Sequence, residues 1–188
     1  SNPKQFSNET EKSGTSKSNS DKKVSMKASQ LMQLFEDSLK DIYWAEKALI
    51  KAMPKMIKKT TSQELNKALS SHLDETKIQI ERLEEVFTLI EKKASAKKCD
   101  AMEGLLKESD ELMKGTKMGA VRDAGIIASG QKMKHYEIAT YGTLRQFAET
   151  LGLPEAATLL EQTLDEEKGA DKILTEVAVN AVNLEAAE

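Results

Sequence analysis

From Ser29 to Glu188 the apolar residues return every three or four positions, and only Pro54 and Pro154 stand where a helix could be interrupted. Leu31, Leu34, Phe35, Leu39, Ile42, Leu49, Met53 and Met56 make one stripe, which predicts a first helix from about Ser29 to Lys58, with Pro54 kinking it or tightening its last turns. The run Thr61-Ser-Gln-Glu64 offers a capping box for a second helix. Its inner line is Leu65, Leu69, Thr76, Leu83, Val86 and Ile90, ending near Lys93. Residues 94–118 hold one short amphipathic segment between turn-forming stretches, too long for a tight hairpin, so a crossover is expected there. A third helix should run from about Gly119 to Leu151, and a fourth from Pro154, placed in its first turn. Aromatic residues are only 4% of the chain, which disfavours a β-sandwich. The fold class expected is all-α: a four-helix bundle whose one long crossover carries an additional short helix.

Residues 1–28 are rich in Ser, Asn, Lys and Thr and carry too little apolar surface to offset ordering entropy, so they are expected to form a disordered tail, with the helical domain spanning 29–188. Six lysines against three acids give that tail a net +3, leaving −6 on the body of a chain whose total is −3. A solvated tail is the simpler reading of this charge, and contact with nucleic acid the alternative. Cys99 is the single cysteine, which excludes an intramolecular disulfide and a cysteine-based zinc site. With no run of eighteen apolar residues and no apolar signal region, a cytoplasmic setting and no membrane contact are expected.

The chain also repeats itself. Displaced by 91 positions, Glu46 falls on Glu137 and Glu75 on Glu166 without a gap, and Leu69, Leu73, Asp74 and Leu83 fall on Leu160, Leu164, Asp165 and Leu174. The shared acids sit where leucines belong. Glu46 has Leu39, Ile42, Leu49 and Met53 at helical offsets, Glu137 has Gly130, Met133, Tyr141 and Leu144, and Glu166 has Leu159, Thr163, Ala170 and Ile173. Glu75 is flanked less cleanly, since Arg82 lies seven positions on, but His72 shares its face on the Leu65, Leu69, Thr76, Gln79, Leu83 line. Buried carboxylates that converge repel one another unless they are protonated or bound to cations. Two divalent metal ions would relieve this repulsion, with hard oxygen ligands supplied by four helices.

Four segments, LFEDSLKDIYWAEKAL, HLDETKIQIERLE, HYEIATYGTLRQFAETLG and TLDEEKGADKIL, resemble the YciF-like family of ferritin-like proteins over Leu31 to Val177. The resemblance implies a ferritin-like bundle, a homodimer, a two-metal centre and a link to stress responses. Carried over residue by residue, its ligand pattern gives Glu46, Glu75, Glu137 and Glu166 as carboxylate ligands. Ferritin-like sites commonly place a histidine three residues after the second and fourth acids, yet Ile78 and Gly169 stand there; His72, three residues before Glu75, is the candidate substitute. His135 lies about 200° around the helix from Glu137 and is expected to face outward with Trp44, its mate in the repeat. Gln79 and Asp171 are reserve oxygen ligands, and Glu167 could exchange roles with its neighbour Glu166. Tyr43 and Tyr141 lie one turn from Glu46 and Glu137, placed either for core packing or to orient carboxylates.

The cofactors expected are therefore two divalent ions, iron first and manganese second. The matching chemistry is reaction of Fe(II) with dioxygen or peroxide, as a ferroxidase or peroxidase, or a manganese catalase-like activity. The competing reading is a non-catalytic helical dimer that binds a partner, or DNA through its basic tail, under stress; the acidic body argues against broad nucleic-acid contact.

Overall fold

A computed structural model describes residues 19–188 and, among them, contains helices and no strand. Helix α1 spans Asn19–Lys58, α2 Gln63–Leu89, α3 Asp100–Gly115, α4 Ala120–Thr150 and α5 Pro154–Val177; a π-helical turn, Ala178–Val182, leads into the short α6, Asn183–Ala186. The long-helix boundaries match the expected ones to within a few residues, except that α1 begins at Asn19 rather than near Ser29. Residues 19–28 contain neither Gly nor Pro, and adding turns to an existing helix requires no new nucleus. The remainder of the expected tail, residues 1–18, lies outside the described residues.

Helix α1 packs on α2 and α4, and α5 closes the ring by packing on α2 and, most extensively, on α4. This ring is the four-helix bundle, with α3 laid outside it against α4 and α1. Phe35, Leu39, Ile42, Leu65, Val86, Ile126 and Leu144 are fully buried along the axis. Each such side chain contributes about 1.5–3 kcal/mol relative to exposure. The α3–α4 approach is close at Gly125, where a Cβ would lie 2.4 Å from Leu112 Cδ2, so any larger residue would force the Leu112 side chain to move.

The termini and crossover are fixed by specific polar contacts. Ser62 caps α2 by accepting from Leu65 N at 3.2 Å, while Asp123 of α4 accepts from Thr61 N and Ser62 N at 2.8 Å each. Glu64 of the expected capping box makes no return bond, because Asp123 already satisfies the donors at that end. Lys97 N donates to Lys40 O at 3.0 Å, tying the crossover to α1. Cys99 caps α3, its Sγ accepting from Met102 N at 3.3 Å. Tyr136 Oη lies 3.1 Å from that sulfur and donates to Asp41 Oδ2 at 2.5 Å, so one phenol joins the crossover to α4 and α1. Burial pushes the Cys99 thiol above its ordinary range, which disfavours the thiolate.

Candidate metal centre

The bundle brings four helices' polar side chains to one interior point. Glu46 of α1, Glu137 of α4 and Glu167 of α5 are fully buried, and His72 of α2 is 5% exposed. The donor atoms of His72, Glu137 and Glu167 all lie within 4.8 Å of one another. Helical spacing explains each approach: His72, Thr76 and Gln79 share the inward face of α2, and Lys134, Glu137 and Tyr141 that of α4.

Lys134 is the residue the sequence reading left out. Its ammonium donates to Glu137 Oε2 at 3.1 Å and Glu167 Oε2 at 2.9 Å, and touches His72 Nε2. The lysine is only 5% exposed, so the chain has placed its own cation among the acids. His72 Nε2 lies 3.5 Å from Glu167 Oε1, and His72 Nδ1 3.9 Å from Glu75 Oε1.

The protonation states follow from this geometry. Burial, then the charge of Glu167, pushes Glu46 up to about 8, against the pull of Lys134. Burial, then Glu167 and Glu46, also carries Glu137 well above the carboxylate range. Burial would raise Glu167 as well, but Lys134, a hydrogen bond from Glu137 and the nearby His72 outweigh it and hold Glu167 at about 2. Burial works against the Lys134 charge, yet Glu137, Glu167 and Glu46 together raise its pKa. At neutral pH the metal-free cluster is thus two protonated acids, one carboxylate and one ammonium, with no net charge among these four groups. Tyr141, pushed well above its usual range by burial and by Glu46, keeps its proton toward Glu46, although the hydroxyl completes no well-formed hydrogen bond.

Several expected ligands stand elsewhere. Glu166 turns away from the centre to Arg82, which donates to its two oxygens at 2.7 and 2.8 Å, with Gln79 Nε2 adding a bond at 3.2 Å. Glu167 takes the inward position in its place. The reason lies in α5, where the buried stripe is Leu160, Thr163, Leu164, Glu167 and Leu174, whereas Ile173, on the Glu166 side, is 49% exposed. Glu75, the mate of Glu166 in the repeat, is likewise only half-buried. The 91-residue correspondence survives one position later, at Thr76 and Glu167, both buried.

Tyr43 is buried against the Phe87 ring, centroids 5.7 Å apart, with Lys47 Nζ 4.2 Å from its own centroid, so it packs rather than orienting a carboxylate. Gln79 is fully buried and donates its Nε2 to Glu166 at 3.2 Å, while its Oε1 is buried without a hydrogen-bond partner. His135 is exposed and lies 3.2 Å from the half-buried Asp171, which pairs Asp171 with that surface histidine and removes it from the reserve ligands.

The donor set fits a hard divalent cation. Both oxygens of Glu46, Oε1 of Glu137, Oε1 of Glu167 and Nδ1 of His72 are buried without a hydrogen-bond partner. Carboxyl oxygens buried together without partners are costly, and a cation that took the place of the protons on Glu46 and Glu137 would satisfy them. Lys134 satisfies part of the demand by donating to the Oε2 atoms of Glu137 and Glu167.

The family model described as a domain of unknown function, DUF892, matches residues 30–187. Protein YciF of Escherichia coli K12 is 44% identical over 165 residues, covering 86% of this chain and 98% of that protein. The crystal structure of the E. coli stress protein YciF superposes with a TM-score of 0.78 at 45% identity, covering 81% of this chain and 97% of the other. YcfI of Rhodopseudomonas palustris gives 0.77 at 44% identity, covering 79% and 94%. A Xanthomonas campestris protein only 21% identical still gives 0.66, covering 84% and 97%, a likeness of fold alone. Ferritin-like in architecture and homologous to a stress protein across nearly all its described length, the chain belongs to the DUF892 family of YciF-like proteins.

Proposed function

We propose that this chain is a ferritin-like carboxylate metalloprotein of the stress response, holding a divalent ion, iron first and manganese second, for reaction with dioxygen or peroxide. The observation that carries the reading is the convergence of His72, Glu137 and Glu167 within 4.8 Å, beside a Glu46 whose two oxygens have no other partner. His72, Glu137 and Glu167 would hold the ion, and Glu46 stands ready as a further oxygen ligand. A redox-active ion there would supply one-electron transfer to the oxidant.

The chain's own residues have definite tasks. Glu46 and Glu137 release the protons that burial keeps on them when a cation takes over their neutralisation, so ion uptake releases protons. Lys134 gives up its place between Glu137 and Glu167, so its ammonium competes with metal and weakens the apparent affinity. The described residues bring together one such group of donors, so the reading narrows from two ions to one. Tyr141 keeps its proton beside Glu46.

Metal analysis of protein purified without chelator tests this reading. Roughly one iron or manganese per chain is expected, lost in Glu137→Gln and Glu167→Gln variants that remain helical by circular dichroism. Protein that stays metal-free and takes up neither Fe(II) nor Mn(II) would refute it. Homodimerisation and a cytoplasmic location belong to the same proposal. Sedimentation equilibrium checks the former.

A further inference from the structure

A cavity of about 280 Å³ runs from the surface between α2 and α5 to the edge of the acid cluster. Its walls are apolar, supplied by Leu49, Met53, Met56, Leu69, Met133 and Leu174, and the buried Gly130 leaves room where any other residue would project a side chain. His72 and Lys134 lie at its inner end, while the exposed Glu64 and Lys67, one charge of each sign, stand on the rim. Because the inner end is polar as well as the rim, a molecule that fills the tunnel must present a polar head to it.

The charges around that inner end decide what head fits. Lys134 is already paired with Glu167, and Glu75 stands beside His72, so a carboxylate head would meet these two acids with no unpaired cation at the inner end. An ammonium head would meet Lys134 itself. An uncharged hydrogen-bonding head meets neither obstacle and lies beside His72 and the half-buried Glu75, whose carboxyl oxygens can accept from it. For the body, a dry cavity of about 150 Å³ accommodates benzene, so the volume here suits an aliphatic chain of about ten carbons.

We infer that this cavity is a binding site for an uncharged medium-chain aliphatic molecule, of the alcohol, aldehyde or alkyl hydroperoxide class, whose polar head rests against His72 and Lys134. The site exists in the metal-free chain, so its test does not depend on the metal reading.

The test uses the metal-free full chain, 1-decanol as probe, and two readouts, calorimetry and methyl resonances of ¹³C-methionine. A single saturable site with a negative heat-capacity change is expected, shifting Met53, Met56 and Met133 but not Met102 or Met113. Decanoate and decylammonium should bind about tenfold more weakly or worse. Ala170→Phe, which places a ring on the cavity wall, should weaken decanol binding by a similar factor, and Ser71→Phe at the entrance serves if that variant fails to fold. Absence of saturable binding, equal affinity for the three heads, shifts confined to Met102 or Met113, or undiminished binding in a folded wall variant would each overturn the inference. A self-associated chain that shows no decanol binding counts against it equally, since the cavity would then be covered by a second copy.

Discussion

Replacing Lys134 with methionine keeps the length and apolar stem of the side chain while removing the ammonium that lies 2.9 Å from Glu167 and 3.1 Å from Glu137. In the native chain that charge keeps Glu167 ionised, holding it at about 2 against an ordinary 4.5. Without it, Glu167 would be a buried carboxylate with no counter-ion, and its cheapest response is to take a proton. Protonating a group of ordinary pKa 4.5 at pH 7 costs about 3 kcal/mol, which sets the scale of destabilisation of the metal-free variant. For a domain of this size that corresponds to a loss of about 6–12 °C in Tm. The metal response should move the opposite way, because the competitor for the site has gone. Mn(II) at a hundred times its Kd returns about 2.7 kcal/mol, and the gain in Tm on adding Mn(II) should be larger in the variant than in the native protein. The assay is thermal unfolding by circular dichroism in chelator and in graded Mn(II). An unchanged Tm in chelator, or a metal-induced gain no larger than the native one, would show that Lys134 neither neutralises the acids nor competes for their site.

Three further outcomes follow from the same geometry. Glu167→Gln should abolish metal binding by equilibrium dialysis, while Glu166→Gln, which touches only the Arg82 and Gln79 contacts, should leave the stoichiometry unchanged and cost about 1–2 kcal/mol of stability in denaturant unfolding. Folded Glu46 keeps its proton up to about pH 8 while the unfolded chain loses it near 4.5, so between those values the unfolded state binds fewer protons. Metal-free stability should therefore fall as pH rises, by about 1.4 kcal/mol per unit from Glu46 alone, and saturating Mn(II) should remove that slope in urea titrations at pH 5.5 and 7.5. Asp123→Ala removes both acceptors for Thr61 N and Ser62 N and should lower stability by about 2–4 kcal/mol with the metal stoichiometry intact, measured by urea unfolding and dialysis; a cost under about 0.5 kcal/mol would mean water replaces the carboxylate.

The helices were legible because their apolar stripes are long and only two prolines fall among them, and Glu46 and Glu137 because each is bracketed by apolar residues on both sides. The choice between Glu166 and Glu167 was not, for α5 carries two overlapping stripes. Leu159 and Ile173 give Glu166 plausible neighbours, and only packing against α2 and α4 shows that Leu160, Leu164 and Leu174 are the buried set. Lys134 was hidden by the ordinary habit of lysines, which carry the charge to solvent on an apolar stem. Its position three residues before Glu137 was the available signal, since any residue there shares the glutamate's face. Its mate under the 91-residue displacement, Tyr43, is also buried, so the repeat marked an inward position whose chemistry differs between the halves. The role of Asp123 depends on a partner more than sixty residues away, which no local pattern records.

The most direct measurement is anomalous diffraction at the manganese edge from crystals grown with Mn(II). A peak bounded by His72, Glu137 and Glu167, with the Lys134 ammonium displaced from its contacts with both acids, is the expected result. A difference map with no peak there, and Lys134 still bridging Glu137 and Glu167 at saturating Mn(II), would establish that the lysine is the cluster's permanent counter-ion and that the protein is not a metalloprotein at this site.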